Sequence, residues 1–247
     1  MTRPSVSVCM ATHNGEKHVA RQLETILSEL NPGDEVIVVD DQSTDRTVEV
    51  VDALGDARIR CIKNPQNMRE MYSFGRAMSL ATKQVVFLAD QDDIWVPGRV
   101  NRMVGALSDS GASLVTTNFV WMNDKEDPID VPFDGVRAAA SRSYLRNIVD
   151  IFVGRTNYFG CAMAMTQEFS RLILPIPPFV QSHDLWIALA ANASGSNVHL
   201  DDVTLRKRQH GNNATSTVSR WALYQKLWSR AIFVQSLLVI ALRRLGR

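Results

Sequence analysis

Val36–Val50 reads VIVVDDQSTDRTVEV, and this stretch decides the fold. With Glu35 ahead of it, Glu35–Val39 is a continuous apolar run, as a strand buried on both faces should be. The run stops on Asp40-Asp41, and a helical pattern follows over about Arg46–Leu54, with Ser43, Thr44 or Asp45 available as its cap. Strand, polar turn and helix then repeat on either side. Upstream, Val6–Met10 reads as a strand and about Glu16–Leu30 as a helix, stopped at Asn31-Pro32-Gly33 because Pro cannot continue it and Gly supplies the turn. Downstream come a strand at Ile59–Ile62, a helix at Glu70–Ala81, a strand at Val85–Ala89, a helix opened by Pro97 and running to about Leu107, and a strand at Leu114–Thr117. This alternation is the signature of an α/β layered domain.

The second half is less regular. Asn123–Gly135, rich in Asp and Pro, reads as a long surface loop. Gly160–Met165 and Asn197–Asp201 read as short strands, His183–Ala193 as a helix, and Trp221–Leu242 as a long C-terminal helix. The whole chain has 247 residues, 45% of them hydrophobic and 21% charged, which suits one sizeable domain and excludes a wholly disordered protein. A formal net charge of +1 gives no support to nucleic-acid binding. The cysteines, at 9, 61 and 161, form no Cys-x-x-Cys pair, so neither a disulfide framework nor a structural zinc site is expected, and a reducing cytoplasm fits best. No signal-peptide pattern opens the chain, and the longest apolar run, Ala231–Leu242, is too short to span a bilayer.

Charge is unevenly placed. All 26 acidic residues lie at or before Asp202, whereas the segment after it carries Arg206, Lys207, Arg208, Arg220, Lys226, Arg230, Arg243, Arg244 and Arg247. A division into a domain over 1–215 and a basic C-terminal helix over 216–247 follows. Within the helix, Trp221, Tyr224, Leu227, Trp228, Ala231 and Phe233/Val234 recur at three- or four-residue spacing among basic flanks. That pattern suits contact with an anionic membrane surface, and it also suits packing on the domain or in a dimer.

Acidic residues close two of the apolar runs: Asp40-Asp41 after the second strand, and Asp90-Gln91-Asp92-Asp93 after the fourth. In a parallel sheet, ligands bind outside the carboxyl ends of the strands, so both clusters are expected to face one crevice. Crowded carboxylates need a divalent cation or hydrogen-bond donors as partners. The same residues also serve as turn formers and helix caps.

Five segments together resemble the inverting glycosyltransferases of family 2, which have the GT-A fold. They are SVCMATHNGEKHV from Ser7, VIVVDDQSTDRTVEV from Val36, VVFLADQDDIW from Val85, SHDLW from Ser182 and RQHGNN from Arg208. The last three are similar to the rhamnosyltransferase-like branch. The resemblance runs from about Val6 to Asn213. It implies a Rossmann-like nucleotide-binding sheet flanked by helices, with the C-terminal helix appended. Ala11, Thr12 and Asn14 then match the nucleotide loop. Asp40 or Asp41 matches the carboxylate that accepts the imide N–H of uracil or thymine, which favours a UDP- or dTDP-sugar.

Asp92 and Asp93 match the motif that holds Mg²⁺ or Mn²⁺ against the diphosphate; His210 aligns near the metal, with Arg208 beside it able to pair with phosphate. Asp184 matches the general base that deprotonates the acceptor hydroxyl, and His183 and Trp186 would shape the pocket. Relatives usually carry Asn-x-Gly after the third strand; here Asn64 and Asn67 remain, but Arg69 stands about where the glycine falls, either on a phosphate or at the surface. The resemblance therefore implies a metal-dependent inverting transferase moving a hexose or deoxyhexose, L-rhamnose by its branch, onto a saccharide acceptor. That acceptor would be carried on a lipid at the inner face of a bacterial membrane, in cell-surface polysaccharide synthesis. The rivals are a galactosyl- or glucosyltransferase of the same fold, a nucleotidyltransferase, which ATHNGEKH with its single Gly matches poorly, and an inactive nucleotide-sugar binder.

Overall fold

The structure, a computed structural model, describes residues 3–132, 134–155, 158–209 and 223–246, with side chains in the last stretch from 228 onward. The chain order is β1 (Val6–Thr12), α1 (Val19–Glu29), β2 (Glu35–Asp40), α2 (Thr47–Ala53), β3 (Ile59–Lys63), α3 (Arg69–Leu80), β4 (Val85–Ala89), β5 (Ile94–Trp95), α4 (Arg99–Ser110), β6 (Leu114–Met122), β7 (Pro128–Ile129), α5 (Tyr144–Val153), β8 (Met163–Thr166), α6 (Gln167–Ile173), α7 (His183–Ala193), β9 (Asn197–Arg208) and α8 (Leu223–Leu245). The strands form one mixed sheet in the order β3-β2-β1-β4-β8-β6-β9-β5, with β7 paired to β6. β1 to β4 are parallel, β8 runs antiparallel to both β4 and β6, and β9 runs parallel to β6.

The apolar strands fill two cores at once. Val36 and Val38 join Val8 and Met10 under α1 and α4, while Ile37 and Val39 join Cys9 under α3 and α7. Each such Val or Ile contributes about 1.5–3 kcal/mol by leaving water, so two-sided burial fixes β2 inside the sheet, between β3 and β1. The parallel strands then deliver the ends of β1, β2 and β4 to one edge, as expected of a crevice built on a parallel sheet.

Departures from the sequence reading fall in the second half. β9 runs to Arg208 instead of ending at Asp201, because Asp201, Asp202 and Val203 are exposed at its middle and Thr204, Leu205, Lys207 and Arg208 are buried at its end. A charged strand end of this kind does not read as a core strand. Gly160–Ala162 is a 3₁₀ turn, and the strand starts at Met163. β5, β7, α5 and α6 were not anticipated.

The C-terminal helix packs on its own domain. Ile232, Ser236 and Ile240 are buried, and Arg243 donates to the carbonyls of Leu172 and Pro175 while Arg244 donates to that of Ala193. Its other side leaves Trp228, Val234, Leu238, Leu242 and Leu245 exposed. Trp221 lies outside the described residues, as do the side chains of Tyr224, Lys226 and Leu227. Among the described residues, no helix is long and apolar enough to cross a membrane.

Candidate active site

Two carboxylate groups stand at the edge of the sheet, and they are held differently. Asp40 is fully buried: its Oδ2 accepts from the Ser43 amide at 3.1 Å, and its Oδ1 accepts from the Ser43 and Thr12 hydroxyls. Asp41 Oδ1 accepts from Asn64 Nδ2 at 2.7 Å and from the Met68 amide at 2.8 Å, and its carbonyl accepts from Asn67 Nδ2 at 3.2 Å. Asp41 Oδ2 takes part in none of these bonds. Every donor here is neutral.

The β1–α1 loop is stitched to the same place. The Asn14 amide donates to Ser43 Oγ, and Asn14 Oδ1 accepts from the Thr44 amide at 2.8 Å. Ala11 pairs in register with Val39, one step before the Thr12–Asp40 pair. Gln91 clamps the loop from the β4 side, accepting from the His13 amide at 2.9 Å and donating to the His13 carbonyl at 3.1 Å. A Cβ at Gly15 would stand 2.3 Å from Gln91 Oε1, so glycine is what lets this clamp close. None of Ser43, Thr44 and Asp45 is the N-cap of α2, which is Arg46 with no side-chain cap bond; Asp45, one residue earlier, accepts from the Thr47 amide through Oδ1. Arg69, in the glycine-like position, holds φ +69°, a left-handed conformation that costs an L-residue about 1–2 kcal/mol.

The second group follows β4. Asp90 Oδ2 lies 2.6 Å from the Lys207 ammonium, Asp93 Oδ2 lies 3.7 Å from it, and Cys161 Sγ 3.5 Å. Asp93 is 1% exposed, and its Oδ1 accepts from the Arg208 amide at 3.0 Å. Burial pushes the Asp93 carboxyl up to about 7, against the pull of Lys207. Burial likewise raises the Cys161 thiol, favouring its neutral form. Arg208, 2% exposed, spends its guanidinium on the carbonyls of Asp92, Asn123 and Asp124, with Glu126 at 3.7 Å. It braces the Asp92 loop from inside. His210 lies outside the described residues.

The third element is the start of α7. Ser182 caps it through the Leu185 amide, which leaves Asp184 in the first turn, where the helix dipole favours a carboxylate. Asp184 Oδ1 is 2.8 Å from His183 Nε2, and His183 stacks on Phe74 with ring centroids 4.6 Å apart. Burial opposes the charge on His183, but Asp184 outweighs it and holds the imidazole above its ordinary value. A Cβ at Gly160 would fall 2.6 Å from Asp184 Oδ1, so this glycine admits the carboxylate.

Gly160 touches Asp184 while the adjacent Cys161 touches Lys207, so the base candidate and the Asp90 group stand side by side. Glu70, at the start of α3, is exposed to this cleft; crowding by protein raises its carboxyl, and it interacts with His183, Asp184, Asp90 and Lys207. Four elements therefore converge: the ends of β4 and β9 and the starts of α3 and α7. Gly160, Lys207 and Glu70 were not singled out from the sequence, and Gln91 was named only as part of its cluster. Asp90 was named in the same way and was not assigned a role. For Lys207 the available signal was a lysine inside a run whose neighbour was already suspected of facing phosphate.

Asp90, Asp93 and Cys161 have donor atoms within 4.8 Å of one another, the group among the described residues with the spacing of a metal site. A hard divalent cation does not fit there, because the group contains a thiol held neutral and already surrounds an ammonium. The other carboxylates of the motif are less enclosed: Asp92 is half-buried and Asp90 is 32% exposed at its side chain.

The family model for glycosyl transferase family 2 matches residues 7–170. The chain is 29% identical over 99 residues to UDP-Glc:α-D-GlcNAc-diphosphoundecaprenol β-1,3-glucosyltransferase WfaP of Escherichia coli, a match covering 40% of this chain and 39% of that protein. It is 24% identical to dTDP-rhamnosyl transferase RfbG of Shigella flexneri, across 88% of this chain and 78% of the relative. Among solved structures, Staphylococcus aureus TarS 1–349 in complex with UDP-GlcNAc superposes with a TM-score of 0.69 at 17% identity, covering 98% of this chain and 73% of that one, which shows the shared fold.

Proposed function

The chain belongs to glycosyl transferase family 2, and on that premise we propose that it is an inverting glycosyltransferase that takes its sugar from UDP or dTDP. The observation that carries this reading is the placement of Asp184 beside the Asp90 group, on the edge of the sheet that also presents Asp41. Both Asp40 oxygens accept bonds from the fold while Asp41 Oδ2 does not, which supports Asp41 over Asp40 for the base-recognising role. The loop from Ala11 to Asn14, with Asn67, frames the nucleoside.

The acceptor hydroxyl gives its proton to the Asp184 carboxylate as its oxygen attacks the anomeric carbon. The bond from that carbon to the donor's phosphate oxygen breaks, and the nucleoside diphosphate leaves with the bonding pair. A single displacement inverts the anomeric carbon. His183 keeps the Asp184 side chain in place from 2.8 Å, and the first turn of α7 favours its charge. A divalent cation, Mg²⁺ or Mn²⁺, bound with the diphosphate would neutralise the developing charge, with Asp92 and Asp90 as the residues to hold it. Asp184→Asn keeps shape and removes the proton acceptor: turnover should fall by about 10²–10⁴ while nucleotide affinity stays near wild type. Unchanged turnover makes another group the base.

For the donor, the rhamnosyltransferase-like motifs and the RfbG relative support dTDP-L-rhamnose; the WfaP relative favours UDP-glucose. The WfaP name also supports a saccharide acceptor on a lipid diphosphate. α8 presents Trp228, Leu238, Leu242 and Leu245 outward with no acidic residue along its length, a composition that suits an anionic membrane surface on the cytoplasmic side. Full-length protein should float with anionic vesicles, less so at high salt, and Leu238→Glu/Leu242→Glu should stay behind. If instead the protein is a dimer that this variant dissociates, the face is an oligomer contact.

A further inference from the structure

We propose that Lys207 is the resident cation of the Asp90–Asp93–Cys161 group and the positioning residue for Asp90, its ammonium standing where the three donor atoms would otherwise draw in a metal ion. The geometry is specific. Lys207 comes from the far end of β9, a strand separated from β4 by β8 and β6 in the sheet, and its side chain is 8% exposed. Its ammonium meets Asp90 Oδ2 at 2.6 Å, Asp93 Oδ2 at 3.7 Å and Cys161 Sγ at 3.5 Å, above the Phe159 ring at 5.8 Å.

The surrounding frame holds the ammonium there. Arg99, fully buried, donates to the Cys161 carbonyl at 2.6 Å and fixes the turn that carries the thiol. The Arg208 amide fixes Asp93 Oδ1, so Asp93 cannot swing into the cleft. Asp93 Oδ2 is buried with no hydrogen-bond partner, and the nearby ammonium is what compensates its charge. Asp90 is left with one oxygen tied inward and a side chain still 32% open to the cleft.

Two carboxylates beside an anionic donor repel it. One fixed positive charge beneath them lowers that penalty without any metal having to be loaded, and it sets the direction in which Asp90 presents itself. The division of labour is then plain. The inner end of the acidic motif is neutralised by the protein, and a cation that arrives with the diphosphate meets the more exposed Asp92 and Asp90. The positioning role rests on the transferase reading given above; the exclusion of metal from the inner group does not.

Cobalt absorption tests the exclusion on full-length protein without donor. Wild type titrated with Co²⁺ should show no thiolate-to-cobalt charge-transfer band. Lys207→Ala should gain one, and Lys207→Ala/Cys161→Ser should lose it again. A band in wild type overturns the proposal and needs no variant to fold; its absence from folded Lys207→Ala overturns it as well. A double-mutant cycle tests the positioning. Lys207→Ala should cut turnover about tenfold or more, but in an Asp90→Asn background by less than about twofold. Independent, additive losses show that Lys207 does not act through Asp90. If no nucleotide sugar supports turnover at all, the transferase reading fails while the cobalt result still decides the resident cation.

Discussion

The carboxylates after β2 and those after β4 occupy equivalent places, each closing a buried parallel strand at the same edge of the sheet, yet they are stabilised by opposite means. Asp40 and Asp41 are satisfied by hydroxyls and amides from the next turn and from the β3–α3 connection. Asp90 and Asp93 take their counter-charge from a lysine on a distant strand, with the Arg208 amide bonded to Asp93 Oδ1. Neutral donors leave the first pair's negative charge in place and aim it, which suits hydrogen-bond recognition of a base. A cation under the second pair cancels part of its charge, which suits the neighbourhood of a diphosphate. The difference also sets sensitivity: removing a neutral donor leaves an ion with its other bonds, whereas removing a buried ion's only counter-charge is strongly destabilising, about 3–5 kcal/mol.

The largest effect expected on the second group comes from metal removal. With the inner position filled by Lys207, the protein supplies one fixed charge, and the leaving diphosphate still carries more than that. Excess chelator should abolish transfer, Mn²⁺ or Mg²⁺ should restore it, and Asp92→Ala should lose most activity without loss of folding, checked by near-ultraviolet dichroism. Full transfer in chelator would mean that Lys207 alone is sufficient and would erase the metal from the account.

A smaller effect is expected on the first group. Asp41→Asn removes the charge but keeps the shape, and it weakens the bonds to Asn64 and Met68 together with the one offered to the base. Affinity for UDP or dTDP, measured by calorimetry, should fall by about tenfold to a hundredfold, in line with a hydrogen bond to a charged group. Asp40→Asn should instead lower the melting temperature, since both of its oxygens serve the fold. The reverse pattern would exchange the two roles.

The contrast explains what the sequence could disclose. The first group is local: Asp40, Asp41, Ser43 and Asp45 lie within one turn, and the strand–turn–helix text around them predicts both fold and site. The second group is assembled across the sheet. Asp90–Asp93 is legible as a cluster, but its partner sits more than a hundred positions later on a strand whose exposed middle hides its buried end. Asp93, expected to hold metal with Asp92, faces inward for the same reason: β9 brings the Arg208 amide to it. Arg69 stands about where relatives carry glycine, and its left-handed φ is a backbone feature that the sequence reading did not anticipate. α5 and α6 were missed. Tyr144–Val153 lies beyond a long polar loop, and the seven residues of α6 are too few to show a helical period.

The proposed reaction is a single displacement at this cleft, with a proton passing to Asp184 as the nucleoside diphosphate leaves. The anomeric configuration of the sugar in the product decides it, read by proton NMR coupling from a UDP- or dTDP-sugar and a lipid-linked or soluble saccharide acceptor. Inversion is expected, with an α-linked donor giving a β-linked product. A product that keeps the donor's configuration would rule out a single displacement.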